Sequence, residues 1–460
     1  MSHVREHWGS RLGFILAAVG SAVGLGVLWM FPYVVGQNGG GLFLFSYILC
    51  ILLIGIPVFI GELILGRSSQ RASIGAFLVL NPERPAWKIA GFFGALSSFI
   101  IMSFYSVIAG WGISYILMSL SGFYQNMTPN QASEVYEALS SSGPITIFWH
   151  FLFTLITMGI VLSGVRKGIE FWAKIITRTL FALLIGLFLY SLTLDGFKHA
   201  LHFIFHPNLQ TFRPSSILEA LGLAFFTLSL GQGIMISYGS YMKKSENVPQ
   251  MACIVSGSVI IVAILAALTI FPVVFTFGFA PDSGPGLVFK TLPHLFARLP
   301  GSIVISTIFF TLFVFTALTS SVPFIEVVST NIMELYSWSR KKATILTALA
   351  TFVFGIPSAL AGSHTLFKNW PAIYGMDFLS TMNQLVSVWL IPIGGLLTSV
   401  FIGWSLDPQI AKNGFNDGSS WQRLFKSWLF FMRYIVPVLI LLIIIQKSGI
   451  INIDKLFHRI

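Results

Sequence analysis

Long apolar runs separated by short polar connections follow one another along the whole chain. Eleven of these runs approach or exceed the roughly 17 to 25 residues that a helix needs to cross a bilayer. We number them spans 1 to 11 and place them at 12–36, 41–66, 88–120, 145–163, 170–194, 216–241, 252–277, 302–335, 343–362, 379–404 and 428–446. The runs lack the alternating ten-residue strands of an outer-membrane barrel, so the pattern predicts an all-α membrane protein.

Glycines interrupt two of these spans. Gly20, Gly24 and Gly26 lie in "GSAVGLGVLWMFP" of span 1, and "FFTLSLGQG" at 225–233 interrupts span 6. Unwound backbone at this depth is tolerated only where it lines a cavity enclosed by protein. The glycines therefore predict a polar binding site, whereas the alternative reading is that they only allow close helix packing.

The two interrupted spans are five spans apart, and this spacing predicts the organisation of the chain. A unit with an odd number of crossings returns in the opposite orientation, which is typical of inverted-repeat transporters. We therefore expect a first five-helix repeat at 1–194, a second, inverted repeat at 195–404, and an eleventh span with a C-terminal tail at 405–460.

Composition and charge agree with this architecture. The chain is 55% hydrophobic and 9% charged, which excludes an ordinary soluble fold. With the N-terminus inside, 19 of the 27 Lys and Arg residues lie on the cytoplasmic side, as the positive-inside rule requires. We expect a multi-pass protein of the cell (inner) membrane, with its N-terminus cytoplasmic and its C-terminus outside. Such a protein contacts membrane lipid, and its net charge of +11 does not indicate nucleic-acid binding.

The pattern favours a transporter over other membrane functions. A channel would show a continuous polar stripe or repeated filter residues, which the sequence lacks. An enzyme is not expected either, because the nine His residues are scattered and form no catalytic or metal-binding spacing with acidic residues.

Seven motifs in order extend the interpretation. "REHWGSRLGFILAAVGSAVGLG", "FPYVVGQNGGG", "GELILGR", "FYSVIAGW", "FFTLSLGQG", "SYGSYMKK" and "FTALTSS" together resemble the neurotransmitter:sodium symporter family, especially its bacterial amino-acid members. The resemblance implies the LeuT-like fold, a 5+5 inverted repeat in which spans 1, 2, 6 and 7 move against spans 3, 4, 8 and 9. It implies a sodium-coupled symporter that imports an amino acid or related zwitterion by alternating access. A proton-coupled or sodium-independent transporter of the same fold is the alternative.

The resemblance also implies three sets of site residues. The substrate pocket would be formed by Ser21, Ala22, Leu25, Gly26, Ile101, Tyr105, Phe226, Thr227, Ser229, Gln232, Ser320 and Phe324. A sodium ion between spans 1 and 8 would be bound by carbonyls of Gly20, Val23 and Thr316 and by hydroxyls of Thr319 and Ser320. The gates would be formed by Arg5, Trp8, Tyr241, Glu334 and Asp377. Glu62 would bind backbone N–H groups where the helices are broken.

The chain departs from the family at its second sodium site. Val27 and Ser258 stand where the family has two asparagines, and Val262 stands where it has a chloride ligand or its acidic substitute. We therefore expect one Na⁺ per cycle and no chloride requirement, with the alternative that Ser258 supports a weakened second site.

Three further positions concern the gate and the substrate. Met30 replaces the family's outer-gate arginine, so Asp377 faces a water-filled vestibule, receives a cationic substrate group, or holds a proton. Gly24 favours an amino acid over a monoamine, because monoamine members carry Asp there. Gln232 replaces a common aromatic residue and adds a polar amide to the pocket. We expect a monomer or a weak homodimer.

Overall fold

All regular elements of the described chain are helical, apart from one isolated antiparallel bridge between Gly40 and Pro207. The computed structural model describes residues 5–123, 128–207, 212–279, 288–363 and 365–449, so 450–460 of the predicted C-terminal tail lie outside them. Nine unbroken helices in these ranges are long and apolar enough to cross a membrane: Gly41–Ser69, Pro85–Leu120, Gly143–Leu162, Val165–Ser191, Val248–Thr276, Ser302–Tyr336, Arg340–Ser363, Trp370–Ser405 and Gln422–Lys447. They correspond to spans 2 to 5 and 7 to 11, which confirms the predicted fold class.

Span 1 is broken where its glycines predicted. It consists of Arg11–Ala22 and Gly26–Gln37, which meet at an angle of 53°. The first helix ends because the residue after it, Val23, leaves helical geometry at φ −84° and ψ 67°. The three residues between the two helices therefore present backbone groups that no helix satisfies.

Span 6 is broken over a longer stretch. Pro214–Thr227 and Ile234–Gly239 are separated by six residues, within which Ser229, Gly231 and Gly233 all have positive φ, at 55°, 72° and 72°. Glycine adopts this region without steric cost, so the sequence at 228–233 unwinds readily. Both predicted interruptions are therefore real breaks of the helix.

Spans 3, 4, 8 and 9 form one packed group, with span 8 lying along most of span 3. His150 of span 4 connects three of these helices. Its Nε2 lies 3.0 Å from the Phe352 carbonyl of span 9, and its Nδ1 lies 2.8 Å from the Ser106 hydroxyl of span 3. The first helix of span 1 contacts spans 7 and 8, and the second helix of span 6 contacts spans 2 and 8. The two breaks therefore lie between span 8 of the packed group and spans 2 and 7.

The outer helices of this arrangement are recognisable from their burial. Within the most apolar window of each span, 72% of span 2 and span 3 is buried, against 39% of span 4 and 33% of spans 5, 9 and 11. The exposed residues on the latter include many Phe, Leu and Ile side chains. Spans 4, 5, 9 and 11 therefore lie at the outside of the helical bundle.

Short helices lie in several connections between the spans. They are Ser73–Leu80, Pro129–Ser141, Phe197–Phe205, Thr291–Ala297 and Pro408–Asn416, whereas Phe31–Gln37 is the last part of span 1. Pro129–Ser141 contacts the start of span 4, the end of span 9 and the short helix Thr291–Ala297.

Candidate functional site

The two helix breaks and spans 3 and 8 line a common pocket. Eleven of the twelve predicted substrate residues line it, and Ile101 does not. Ile101 is buried on the same face of span 3 as Tyr105, about one turn away. Gly24 also lines the pocket, although sequence reasoning did not place it among the substrate residues. The lining residues are Ser21, Ala22, Gly24, Leu25, Gly26, Tyr105, Phe226, Thr227, Ser229, Gln232, Ser320 and Phe324.

One end of the pocket offers hydrogen-bond donors. The Leu25 N–H donates to the Tyr105 hydroxyl over 3.1 Å, and the second helix of span 1 begins at Gly26. The first N–H groups of a helix have no partner within it and carry a partial positive charge. This end therefore suits an anionic group such as a carboxylate.

The other end offers acceptors. The Ser229 hydroxyl donates to the Ser21 carbonyl over 3.2 Å, and the Ser21 and Ser229 hydroxyls lie 3.3 Å apart. The helices ending at Ala22 and Thr227 direct their last carbonyls into this region, with the partial negative charge of a helix C-terminus. An ammonium group would find acceptors here.

The neighbouring side chains leave no space for a side chain at Gly24. A Cβ there would lie 2.5 Å from the Ser320 hydroxyl oxygen and 3.3 Å from the Tyr105 hydroxyl oxygen. Either side chain would have to move, and both line the pocket. The missing side chain of Gly24 therefore keeps the pocket open.

Glu62 supports the break in span 6. It is fully buried, and its Oε1 accepts a hydrogen bond from the Gly231 N–H over 2.7 Å. A buried N–H outside regular structure needs such an acceptor. The contact agrees with the role implied for Glu62, and its second oxygen, Oε2, has no partner among the described residues.

The predicted sodium residues of spans 1 and 8 lie together. The Ser320 hydroxyl donates to the Ser21 carbonyl over 2.9 Å and lies 3.4 Å from the Gly20 carbonyl, while the Thr319 hydroxyl donates to the Thr316 carbonyl over 3.0 Å. Val23, the remaining predicted ligand, is buried at the end of the same helix.

Gly20 allows the two spans to approach this closely. A Cβ on Gly20 would lie 3.0 Å from the Thr319 Cβ and 2.6 Å from the Thr177 hydroxyl oxygen of span 5. The result is a group of neutral carbonyl and hydroxyl oxygens with little space around it. Oxygen ligands of this kind suit a hard cation such as Na⁺.

The positions that the resemblance implies for a second sodium site carry few side-chain oxygens among the described residues. Val27 and Val262 are fully buried hydrocarbon side chains. The Ser258 hydroxyl donates to the Ile254 carbonyl of its own helix over 2.8 Å and is partly exposed. The Thr227 hydroxyl donates to the Leu223 carbonyl over 2.9 Å.

The inner end of the helical bundle is closed by an ion pair. Arg5 Nη1 lies 2.5 Å from Glu334 Oε1, and Arg5 also donates to the Ser240 hydroxyl. The Trp8 ring is buried, and its Nε1 donates to the Tyr238 carbonyl over 3.0 Å. Arg5, Trp8 and Glu334, three of the predicted gate residues, therefore lie together around Tyr241 at this end.

Glu326 and Arg340 also lie at this end, and neither was predicted from the sequence. The hydroxyl of the predicted gate residue Tyr241 donates to Glu326 Oε1 over 2.5 Å, and Arg340 donates to Glu326 Oε2 over 2.8 Å. Glu326 is fully buried, so its charge needs both partners. Span 8 holds two acidic residues, Glu326 and Glu334, and span 9 begins with the basic residue Arg340, but only Glu334 was assigned a role from the sequence.

Asp377 has local partners. Its Oδ1 accepts a hydrogen bond from the Ser380 N–H over 2.7 Å, so Asp377 is the N-cap of the helix that begins at Phe378. Tyr136, on the connecting helix Pro129–Ser141, lies close enough to Asp377 for the Asp377 charge to affect its ionisation. Burial, followed by the Asp377 charge, raises the pKa of the Tyr136 hydroxyl to about 12. Asp377 is thus an N-cap beside Tyr136, and Met30 offers it no charge.

The broken spans, the pocket between them and the oxygen cluster at its side define a helical membrane transporter. A profile of the Sodium:neurotransmitter symporter family matches residues 5–132 and 122–456. The chain therefore belongs to the sodium:neurotransmitter symporter family, whose members include sodium-dependent transporters.

Relatives and solved structures agree over nearly the whole length. An uncharacterized sodium-dependent transporter of Bacillus subtilis, YhdH, is 37% identical over 97% of this chain and 98% of its own. An uncharacterized sodium-dependent transporter of Haemophilus influenzae is 34% identical over 96% of this chain and 98% of its own. The crystal structure of MhsT in complex with L-phenylalanine superposes with a TM-score of 0.88 at 39% identity, covering 96% of this chain and 100% of that one.

Proposed function

We propose that this chain imports an amino acid or a related zwitterion by alternating access, coupled to one Na⁺ per cycle and without chloride. The observation that carries the proposal is the pocket between the two helix breaks. It has hydrogen-bond donors at Tyr105, Leu25 and Gly26 and acceptors at Ser21 and Ser229. This arrangement suits an α-amino acid, whose carboxylate can accept from the donors and whose ammonium group can donate to the acceptors.

The charge of the pocket narrows the ligand further. The twelve lining residues, all within the described chain, include no charged side chain. A charged substrate side chain would be buried without a counter-charge, so a neutral amino acid is favoured. The L-phenylalanine bound to MhsT supports this class.

One sodium ion is proposed because one oxygen cluster is present. Carbonyl and hydroxyl oxygens of Gly20, Thr316, Thr319 and Ser320 lie together between spans 1 and 8. Val27 offers no side-chain oxygen beside the substrate pocket. Without a second cation near the carboxylate, a balancing anion is not needed, which removes the reason for chloride.

Closure of the inner end supports alternating access. The Arg5–Glu334 pair and the buried Trp8 block that end, and the Glu326–Arg340 pair lies next to them. Arg5 and Glu334 keep 17% and 16% of their side-chain surface exposed, so water can compete for this pair and it can break in each cycle. We propose that Arg5, Trp8, Tyr241 and Glu334 form the inner gate, and that Asp377 borders the outer one.

The two five-span repeats would supply the two broken helices. We propose that 1–194 and 195–404 are related by an axis in the membrane plane, with 405–460 added to them. The break in span 1 and the break in span 6 are in equivalent positions of these two segments, which supports the division. The cytoplasmic N-terminus proposed for the inner membrane follows from the distribution of basic residues.

Uptake into proteoliposomes tests the function. The purified full-length chain is supplied with a mixture of amino acids, with an inward gradient of Na⁺ or with choline in its place, and uptake is read by mass spectrometry. We expect concentrative uptake of at least one neutral amino acid that requires Na⁺ and is unchanged when gluconate replaces chloride. Undiminished concentrative uptake in choline would refute sodium coupling and favour a proton-coupled transporter.

A matched pair of variants tests the sodium residues. Ser320→Ala removes a hydroxyl of the oxygen cluster, whereas Ser321→Ala removes a hydroxyl that bonds to Thr157 of span 4, 2.9 Å away. We expect Ser320→Ala to raise the Na⁺ concentration needed for half-maximal uptake at least tenfold, and Ser321→Ala to leave it within threefold. Equal effects of the two changes would contradict the assignment.

A further inference from the structure

Gln232 occupies a fixed position in the wall of the pocket. It lies between Gly231 and Gly233, whose φ of +72° sets the path of the unwound segment. Its backbone carbonyl accepts a hydrogen bond from the Ser98 hydroxyl of span 3 over 2.8 Å. The side chain is 2% exposed and lines the pocket. Both its backbone and its surroundings therefore restrict where the amide can lie.

The other polar side chains of the pocket already have partners. The Ser229 and Ser320 hydroxyls donate to the Ser21 carbonyl, the Thr227 hydroxyl donates to the Leu223 carbonyl, and the Tyr105 hydroxyl accepts from the Leu25 N–H. The Ser21 hydroxyl lies 3.3 Å from that of Ser229. Gln232 differs from all of them, because its buried Oε1 has no hydrogen-bond partner among the described residues.

A buried carbonyl oxygen without a partner is uncommon and unfavourable. Within the described residues, the pocket is the open space that Gln232 borders. A ligand in that space can supply the missing donor, and the Oε1 acceptor requires an N–H or O–H on the ligand. The carboxylate and ammonium ends of an amino acid are served by Tyr105, Leu25, Ser21 and Ser229, so this donor has to come from the substrate's side chain.

We propose that Gln232 selects neutral amino acids whose side chain carries an O–H or N–H donor over apolar amino acids of similar shape. The inference rests on the proposed function, because it assumes an amino acid in the pocket. Phe226 and Phe324 supply apolar walls, so the favoured side chain combines an apolar body with one donor. Tyrosine, tryptophan and threonine belong to this class, whereas phenylalanine, leucine and valine do not.

The expected preference comes from the cost of leaving Oε1 unpaired. An apolar substrate fills the pocket and keeps water away from the oxygen without bonding to it. A site built to hydrogen-bond a substrate group discriminates strongly against the analogue that lacks this group. We therefore expect at least about tenfold tighter binding of the donor-bearing member of a matched pair.

The test uses competition for Na⁺-dependent uptake by the full-length chain in proteoliposomes. Tyrosine is compared with phenylalanine, and threonine with valine, because each pair differs mainly by a hydroxyl. In the wild type, the inhibition constant should be at least about tenfold lower for the hydroxyl-bearing member of whichever pair binds more tightly. In Gln232→Leu the ratio should fall below about threefold, because the acceptor is gone.

Gln250→Leu is the control variant. Gln250 is exposed near the start of span 7 and does not line the pocket, so the change removes the same amide away from the site. The ratio of inhibition constants should remain as in the wild type. A wild-type ratio near one in both pairs, or a ratio unchanged in Gln232→Leu, would overturn the role of Gln232 while leaving amino-acid transport intact. Failure of all amino acids to be taken up by the wild type would instead refute the proposed function itself.

Discussion

Replacement of Glu62 by alanine tests how the break in span 6 is held. Glu62 Oε1 accepts from the Gly231 N–H over 2.7 Å, and Glu62 is fully buried. In Glu62→Ala this N–H loses its partner inside the protein, which costs about 1–3 kcal/mol. The cost falls on the broken conformation that forms the pocket. If only that conformation binds substrate, the apparent dissociation constant should rise roughly 5- to 150-fold.

Equilibrium binding of a transported amino acid to purified protein in saturating Na⁺ measures this effect. Glu62→Gln is the matched variant, because its side-chain carbonyl still accepts a hydrogen bond although the charge is gone. We expect Glu62→Gln to bind within about threefold of the wild type, below one hydrogen bond's contribution. Size-exclusion profiles and thermal unfolding of the three proteins check that the variants are folded.

Two results would refute this reasoning. Wild-type affinity in Glu62→Ala would mean that the Gly231 contact does not stabilise the binding conformation. A Glu62→Gln protein as weak as Glu62→Ala would mean that the negative charge, or a proton exchanged by the carboxyl group, is needed instead of the hydrogen bond.

Two further predictions concern the pocket itself. In a radioligand binding assay, Gly24→Ala should abolish substrate binding with little loss of thermal stability, because the added Cβ would lie 2.5 Å from the Ser320 hydroxyl oxygen. The control Gly257→Ala should bind as the wild type does, because a Cβ there meets nothing within 4 Å. Tyr105→Phe should weaken binding roughly 5- to 150-fold by isothermal titration, because the Leu25 N–H loses an acceptor and the substrate carboxylate loses a donor. Unaltered affinity in Tyr105→Phe would place the carboxylate elsewhere.

The spans and their two breaks could be predicted because their cause is local. A run of apolar residues long enough to cross a bilayer is visible in any sequence, and glycines such as Gly231 and Gly233 mark where helical geometry ends. Ser229 also has a positive φ, at 55°, which no residue-type rule would have indicated. Its conformation follows from the glycines and the contacts around it.

The pocket residues were predicted from the resemblance, and the exceptions have physical reasons. Ile101 shares a helix face with Tyr105, yet the end of the cavity falls between them, and this depends on how spans 3 and 6 pack. Gly24 was missed because its contribution is the absence of a side chain. Gln232 was predicted to line the pocket, but its unpartnered oxygen depends on the positions of all neighbouring donors.

The gates show the same division between local and distant causes. Asp377 precedes the helix that begins at Phe378, so its N-cap role could have been read from the preference of aspartate for that position. The Glu326–Arg340 pair joins residues 14 positions apart at the inner end of the bundle. Span 8 contains two acids, Glu326 and Glu334, and nothing in the sequence indicated which cation would meet Glu326.

The number of sodium ions moved with each substrate molecule tests the account most directly. Simultaneous initial fluxes of radiolabelled sodium and amino acid into proteoliposomes, with the membrane potential clamped and gluconate in place of chloride, give this ratio. The oxygen cluster at Gly20, Thr319 and Ser320, together with the lack of a side-chain oxygen at Val27, predicts a ratio of about one and no chloride requirement. A ratio of about two, or uptake that requires chloride, would contradict it.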